Sequence, residues 1–198
     1  MAHPPSVNAT ETYTLDNVER RATKTAKGLK CPDVEFVSYP GDIVKYHRPV
    51  KVYSGFKPHL RRFEEIVRDT SIHFYGRAPL KIKHLGTFNC RKIRGYPNLI
   101  SEHGVGNGID VAGFDFGPLP KSERADSEVP KHAQRAFKVR LKRHWQAKPK
   151  SLHAKFLDTL ARRVLEADIF RVVLGPAYPG HADHFHLDMA PYRLVSVW

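Results

Sequence analysis

Apolar residues recur at helical spacing in two stretches of the chain. In the first stretch they fall three and four positions apart, at Phe56, Leu60, Phe63, Ile66 and Val67. This spacing places them on one face of a helix that we expect to run from about 56 to 76, with Gly76 at its end. In the second stretch, from 151 to about 167, they step by four, at Leu152, Phe156, Leu160 and Val164. Ser151 suits the capping position there, so the pattern predicts two amphipathic helices.

Elsewhere, apolar and polar residues alternate or apolar residues form short runs, as half-buried and buried strands do. The candidate strands cover 80–90, 109–116, 137–142, 170–174 and 184–189. Because the strands are mainly consecutive and show no regular strand–helix–strand rhythm, the pattern predicts an α+β fold. We expect a small, mainly antiparallel sheet flanked by helices.

The first quarter of the chain lacks these patterns. Residues 1–30 are polar and poor in apolar positions, and residues 31–55 are punctuated by Pro32, Pro40, Gly41 and Pro49. Such residues are typical of turns and extended chain. We therefore expect residues 1–50 to form a polar N-terminal arm and extended segment, and residues 51–198 to form the main domain.

The last candidate strand carries imidazoles on one face and apolar groups on the other. Side chains alternate along a strand, so His184, His186 and Asp188 share one face. The opposite face consists of Phe185, Leu187 and Met189. This is the pattern of a strand fixed to a core on one side and available for chemistry on the other.

A glycine-rich segment upstream supplies a second histidine and a carboxylate. His103 precedes three closely spaced glycines and Asp110 follows them, so a tight bend can bring both to one point. Alone, such a pair is usually a hydrogen-bonded pair. Together with the two strand histidines it indicates a zinc site, one imidazole of the pair acting as ligand and the other moving protons. Three protein ligands leave a fourth position for water, whose pKa zinc lowers towards about 7.

The net charge of +13 predicts attraction to polyanions. Residues 131–150 include eight Lys or Arg and no acid, and we interpret this run as a solvated basic face rather than a binding groove. Exposed aromatics or a fold signature of nucleic-acid binding are lacking, so nucleic acid is disfavoured as a partner. The sequence contains no apolar run long enough to span a membrane.

Cys31 and Cys90 are the two cysteines, and they form no CxxC unit. From the residues alone, either one disulfide or two free thiols is possible. The first residues also lack the charged start and apolar stretch of a signal peptide. A removed leader and other delivery routes both stay open.

Four motifs in order resemble the bacterial extensin-like C-terminal domain family. They are CR at 90–91, SEHGVGNGIDVAGF at 101–114, VLGP at 173–176 and HADHFHLD at 181–188. The resemblance covers roughly residues 50–198. The wider relatives of that family are the zinc D-alanyl-D-alanine carboxypeptidases, lysostaphin-type endopeptidases, the penicillin-insensitive murein endopeptidase and the hedgehog signalling domain. The resemblance implies the fold of these relatives and one zinc ion per chain.

The resemblance also implies roles for individual residues. The zinc ligands would be His103, Asp110 and His186, with His184 as catalytic base and Arg91 near the scissile carbonyl. Weaker candidates for orienting ligands or binding substrate are Ser101, His181 and Asp188. The family's usual partner of Cys90 aligns near Asp168, so in this chain that pairing is lost.

The function implied is hydrolysis of peptidoglycan peptides, with endopeptidase action favoured over carboxypeptidase action. Peptidoglycan and muropeptides would be the substrates, anionic wall polymers would be attracted by the basic surface, and the location would be the periplasm or cell envelope. One alternative is a non-catalytic wall-binding module stabilised by zinc. A second, less favoured alternative is a nucleic-acid-binding protein, since charge and histidines suit that function too.

Overall fold

A computed structural model describes residues 9, 12–26, 28–125, 127–145 and 151–198. Its strands, in chain order, are β1 Thr23–Thr25, β2 Gly28–Lys30, β3 Phe36–Tyr39, β4 Val50–Tyr53, β5 Lys81–Gly86, β6 Lys92–Ile93, β7 Tyr96–Ile100, β8 Gly108–Phe116, β9 Phe137–Arg140, β10 Val172–Leu174, β11 Phe185–Asp188 and β12 Leu194–Ser196. The α-helices are α1 Lys57–Tyr75, α2 Lys131–Gln134, α3 Leu141–His144 and α4 Leu152–Glu166. Three 3-10 turns cover Ser54–Phe56, Glu102–Val105 and Lys121–Glu123.

Both long helices lie where the apolar spacing predicts them. Helix α1 has a proline in its first turn and ends at Gly76, whose backbone adopts the left-handed conformation with φ 66°. Helix α4 begins after Ser151, whose side chain accepts a hydrogen bond from the Ala154 amide. The apolar faces of both helices are buried in one large hydrophobic cluster.

The main sheet is mixed, with strand order β12-β10-β11-β8-β5 and β9 paired to β8. All pairs in it are antiparallel except β10 with β12. Three two-stranded sheets accompany it, formed by β1 with β2, β3 with β4, and β6 with β7. The α+β class and the mainly antiparallel sheet predicted from the sequence are therefore confirmed.

Residues of the N-terminal segment contribute to the core. Ala9, Tyr13 and Leu15 are buried in the main hydrophobic cluster, together with side chains from β3 and β4. The described part of 12–30 contains turns and the β1–β2 hairpin. No helix among the described residues is both long and apolar enough to cross a bilayer.

Most of the basic run that begins at residue 131 is solvated over the part that the structure describes, but Arg140 is half-buried and paired with Asp115. Lys131, Arg135, Lys138, Lys142 and Arg143 are exposed. Residues 146–150, the end of this run, lie outside the described residues.

Cys31 and Cys90 form a disulfide with a Cα–Cα distance of 5.8 Å. The family's usual partner of Cys90 aligns near Asp168, but in this chain Cys90 pairs instead with Cys31, which directly follows β2. The bridge lies against the 3-10 turn at Glu102–Val105: a Cβ added to Gly104 would be 2.8 Å from the Cys31 sulfur. The covalent link therefore fixes the two small hairpins beside this turn.

Replacing both cysteines by serine should lower the free energy of unfolding by up to roughly 4 kcal/mol, the loop-closure term for a closed loop of this size. The bridged residues are 59 positions apart. Urea unfolding of both proteins measures the difference. The control is reductant, which should destabilise the wild type and leave the double variant unchanged. Equal midpoints for both proteins without reductant would contradict the structural role of the bridge.

Buried His59 should make the fold sensitive to acid. Its Nδ1–H donates to the Ile169 carbonyl at 2.7 Å, and burial lowers its pKa to about 4. The unfolded chain binds a proton at about pH 6.5, above the folded pKa, so stability is fully present above that pH and falls between about 6.5 and 4. For one such group the loss is up to about 3 kcal/mol. His59→Gln, which keeps an amide donor, should reduce the pH slope of the unfolding free energy by about one proton. A slope unchanged in this variant would show that His59 does not titrate in this range.

Candidate metal centre

Three elements bring His103, Asp110 and His186 together. His103 lies in the 3-10 turn Glu102–Val105, Asp110 in β8 and His186 in β11. Strands β8 and β11 are antiparallel neighbours in which His186 lies directly opposite Asp110. Gly108 lies opposite Asp188 in the same pair, and a Cβ added to Gly108 would lie 3.2 Å from the Asp188 Cβ. The strand register therefore sets two of the three residues side by side.

The turn that carries His103 is fixed at both ends. Ser101 caps it, its hydroxyl accepting a hydrogen bond from the His103 amide at 3.4 Å. Gly106 ends it with φ 62°, and a Cβ at this position would clash with the Phe36 ring at 2.7 Å. Only glycine fits there, both for its backbone conformation and for its lack of a side chain.

The three candidate ligand atoms form a small triangle. His103 Nε2 lies 3.2 Å from Asp110 Oδ1 and 3.2 Å from His186 Nδ1, and His186 Nδ1 lies 2.9 Å from Asp110 Oδ1. Ligands about 2.0–2.2 Å from a tetrahedral metal are separated by about 3.3–3.5 Å. Small side-chain rotations convert the observed triangle into that geometry.

Hydrogen bonds on the far sides of both rings direct lone pairs into this triangle. His103 Nδ1 lies 3.0 Å from the Thr87 carbonyl, which can only accept, so Nδ1 carries the proton and Nε2 the lone pair. His186 Nε2 lies 2.6 Å from Asp188 Oδ2 and donates to it. In the neutral rings, two nitrogen lone pairs and a carboxylate oxygen thus face one another. This donor set fits a divalent cation such as zinc.

The same crowding shifts the pKa values of the site. Burial opposes the charged form of Asp110, yet the hydrogen bonds from His103 and His186 outweigh it and hold the pKa of this carboxyl well below its usual range. Burial likewise lowers the pKa of His186, but Asp110 and Asp188 raise it to about 10. A positive charge at this position is therefore strongly favoured by the surrounding carboxylates.

A fourth group, the His184 ring, points into the triangle from its rim. His184 Nε2 lies 3.6 Å from Asp110 Oδ1, and its Nδ1 lies 2.7 Å from Asp183 Oδ1. Donation from Nδ1 to Asp183 leaves the Nε2 lone pair directed at the site. The Asp183 carboxylate thus orients the His184 ring beside the cluster of candidate metal ligands.

The other residues singled out in the sequence lie around this centre. The His181 ring centroid is 4.8 Å from that of His184 and 5.7 Å from that of His186. Asp188 bonds His186 and also accepts from the Ala190 amide. Arg91 is exposed, and only its carbonyl is tied to the site region, by the Ser101 amide at 3.0 Å. The structure thus brings Asp188 and His181 to the cluster and leaves the Arg91 side chain on the surface.

Sequence reasoning missed a buried polar network behind the His103 turn. Arg20 forms a two-pronged ion pair with Glu102, at 2.8 and 3.1 Å. Asn107 donates to the same carboxylate and to the Met189 carbonyl, and it accepts from the Tyr13 hydroxyl at 2.7 Å. The network links the N-terminal segment, the ligand turn and the end of β11. No sequence signal relates Arg20 to Glu102, because 82 residues separate them. The pairing of Asp183 with His184, by contrast, is suggested by their adjacency in the sequence.

The family model described as "Extensin-like protein C-terminus" matches residues 10–137. This span includes His103 and Asp110 and the N-terminal segment, and it stops before His184 and His186. Neither the curated proteins nor the solved structures gave a match.

Asp188→Asn should weaken binding of zinc by about 10- to 100-fold, because the amide holds the His186 ring and its basicity less well than the carboxylate does. Competition titration against a chromogenic chelator measures the affinity. Asp183→Asn is the matched control, since Asp183 bonds His184 rather than a ligand, and it should bind zinc as the wild type does. Equal affinities in all three proteins would exclude Asp188 from support of a metal.

Proposed function

We propose that this chain, which belongs to the extensin-like C-terminal family, is a zinc-dependent peptidoglycan hydrolase. It would cleave peptide cross-links or stem peptides, with endopeptidase action favoured, in a fold of the zinc D-Ala-D-Ala peptidase and hedgehog type. The observation that carries the proposal is the convergence of His103, Asp110 and His186 with a third imidazole, that of His184, aimed at the same point.

Zinc is the proposed ion because two imidazoles and one carboxylate form a usual catalytic zinc set. Bound there, zinc would polarise the scissile carbonyl and acidify a water molecule. Thr87 and Asp188 would keep each ligand ring in the required tautomer. Three protein ligands, rather than four, suit a site that must also admit substrate.

His184 is the proposed proton carrier. Its Nε2 lone pair can accept a proton at the site and return it to the leaving amine. Asp183 would hold the ring in position and stabilise the imidazolium through the 2.7 Å hydrogen bond to Nδ1. Arg91 is proposed as a contact for a substrate carboxylate or for the developing oxyanion, since its side chain is exposed beside the ligand turn.

Two further features support a role at the cell wall. The Cys31–Cys90 disulfide is typical of an oxidising compartment such as the periplasm or cell envelope. The net charge of +13 favours association with peptidoglycan and its anionic polymers. The non-catalytic alternative leaves the orientation of His184 by Asp183 without a purpose, so we rank it lower.

His184→Ala should retain one zinc per chain and lose at least about 100-fold in the rate of muropeptide cleavage, the usual contribution of a positioned acid–base group. Defined muropeptide dimers are incubated with each protein and the fragments are identified by mass. His132→Ala is the matched control, because it removes an exposed imidazole of α2 that is not part of the cluster. This variant should cleave at the wild-type rate. A chelator should abolish cleavage by all active proteins.

Full activity of His184→Ala would remove that residue from the mechanism. A wild-type protein that binds zinc and cell walls yet releases no fragment would instead support the non-catalytic wall-binding module.

A further inference from the structure

Two β-hairpins beside the candidate metal centre carry a concentrated positive charge. One is β1–β2 and the other is β6–β7, and we call them the double hairpin. Their basic side chains are Arg21, Lys24, Lys30, Arg91, Lys92 and Arg94, all exposed except the half-buried Lys92. Residues 21–32 and 88–101, which contain them, include no acid. Among the described residues, none of these six side chains forms an ion pair, so their charge is directed to solvent.

The two hairpins form one continuous surface. The Ile100 amide donates to the Arg20 carbonyl at 2.7 Å, and the Ala22 amide donates to the Asn98 carbonyl at 2.8 Å. These bonds extend the β6–β7 pair by the segment that leads into β1. The Cys31–Cys90 disulfide joins the end of β2 to the start of β6. Charges that are distant in sequence are thereby held together on one face.

This surface reaches the mouth of the proposed active site. The Ser101 amide donates to the Arg91 carbonyl, and the next two residues lead to His103. At the other end of the hairpin, an Arg94 guanidinium nitrogen lies 3.6 Å from the position of a Cβ on Gly180, the neighbour of His181. A polymer lying on the double hairpin therefore has its attached groups next to the metal ligands.

The basic run at 131–142 is placed differently. Lys138 lies opposite Asp115 in the β8–β9 pair. Asp115 is five residues, or roughly 17 Å, along β8 from Asp110. That run shares the overall charge of the molecule but not the proximity to the site.

We propose that the double hairpin binds the anionic phosphodiester polymer of the bacterial cell wall and so holds the wall peptides at the metal centre. The proposal rests on the proposed function for the identity of the polymer. Charge complementarity supports it, because the six cations form no ion pair with any residue that the structure describes. They lie on two disulfide-linked hairpins and so attract a polyanion with little loss of conformational entropy. Nucleic acid is less suited, since Tyr96 is the one exposed tyrosine in the double hairpin and stacking along a strand requires a series of aromatics.

The test compares two triple variants that remove the same charge. Arg21→Gln, Lys24→Gln and Lys30→Gln are combined in one protein, and Lys131→Gln, Lys138→Gln and Lys142→Gln in the control. All six residues are exposed, so both proteins should fold, which circular dichroism verifies. Binding to insoluble wall sacculi is measured by sedimentation at about 0.15 M salt.

The hairpin variant should bind sacculi about tenfold more weakly than the wild type, because it loses three solvent-screened contacts that each contribute roughly 0.5 kcal/mol to binding. The control variant should bind within about twofold of the wild type. Sacculi stripped of phosphodiester polymers test the anion source: the difference between the two variants should disappear, and its persistence would overturn the proposal in favour of the peptide carboxylates. Wild-type binding should also weaken as salt is raised.

Equal weakening of binding in both variants would show that only the net charge of the protein determines its binding to sacculi. Unchanged binding of the hairpin variant would show that the double hairpin does not contact the polymer. Tighter binding of the wild type to duplex DNA than to sacculi would reassign the surface to nucleic acid. Cleavage of a soluble muropeptide dimer, which lacks the polymer, separates this proposal from the hydrolase. Both triple variants should cleave it as the wild type does. If the wild type does not cleave the dimer while the hairpin variant alone loses sacculus binding, the proposed hydrolase function is contradicted and the proposed binding role of the double hairpin is supported.

Discussion

Three electron-rich atoms meet within 3.2 Å of one another where β8, β11 and the turn Glu102–Val105 converge: His103 Nε2, Asp110 Oδ1 and His186 Nδ1. Neutral imidazoles and a carboxylate do not approach so closely unless a proton or a cation lies between them. The fold must therefore supply the geometry and tolerate the charge. Much of the surrounding structure is explained by that requirement.

The geometry is held from three directions. Register between β8 and β11 sets His186 opposite Asp110, and apolar Phe185 and Leu187 on the other face fix β11 to the core. The turn that carries His103 is capped by Ser101, lies against the disulfide and is backed by the Arg20–Glu102 pair. A buried ion pair adds little net stability, but losing one partner is costly. Its value here lies in specifying where the ligand turn sits relative to the end of β11.

The charges around the cluster differ in sign between the buried region and the surface. Close to the cluster, carboxylates dominate: Asp188 and Asp183 each accept an imidazole N–H, which leaves the opposite nitrogen of each neutral ring as a directed lone pair. On the surface, cations dominate, and those of the double hairpin border the site. An anionic chain is attracted to the outer layer, while a cation is favoured in the inner one. The two preferences are compatible because the layers are spatially separate and the outer one faces solvent.

The sequence by itself determined both long helices, the α+β class, the two faces of the last strand and the set of histidines and aspartates that form the cluster. The helices and the strand faces follow from spacing along a few turns or one strand, which local geometry dictates, whereas the choice of cluster residues among the histidines and aspartates rests on the family resemblance. Only the tertiary structure decided that Cys31 pairs with Cys90, that Arg20 supports Glu102 and that Arg91 remains on the surface. It also decided that Tyr13 and Leu15 belong to the core and that two short basic hairpins share one face. These outcomes depend on which distant segments pack together, and pairings over 59 or 82 residues leave no periodic trace in the chain.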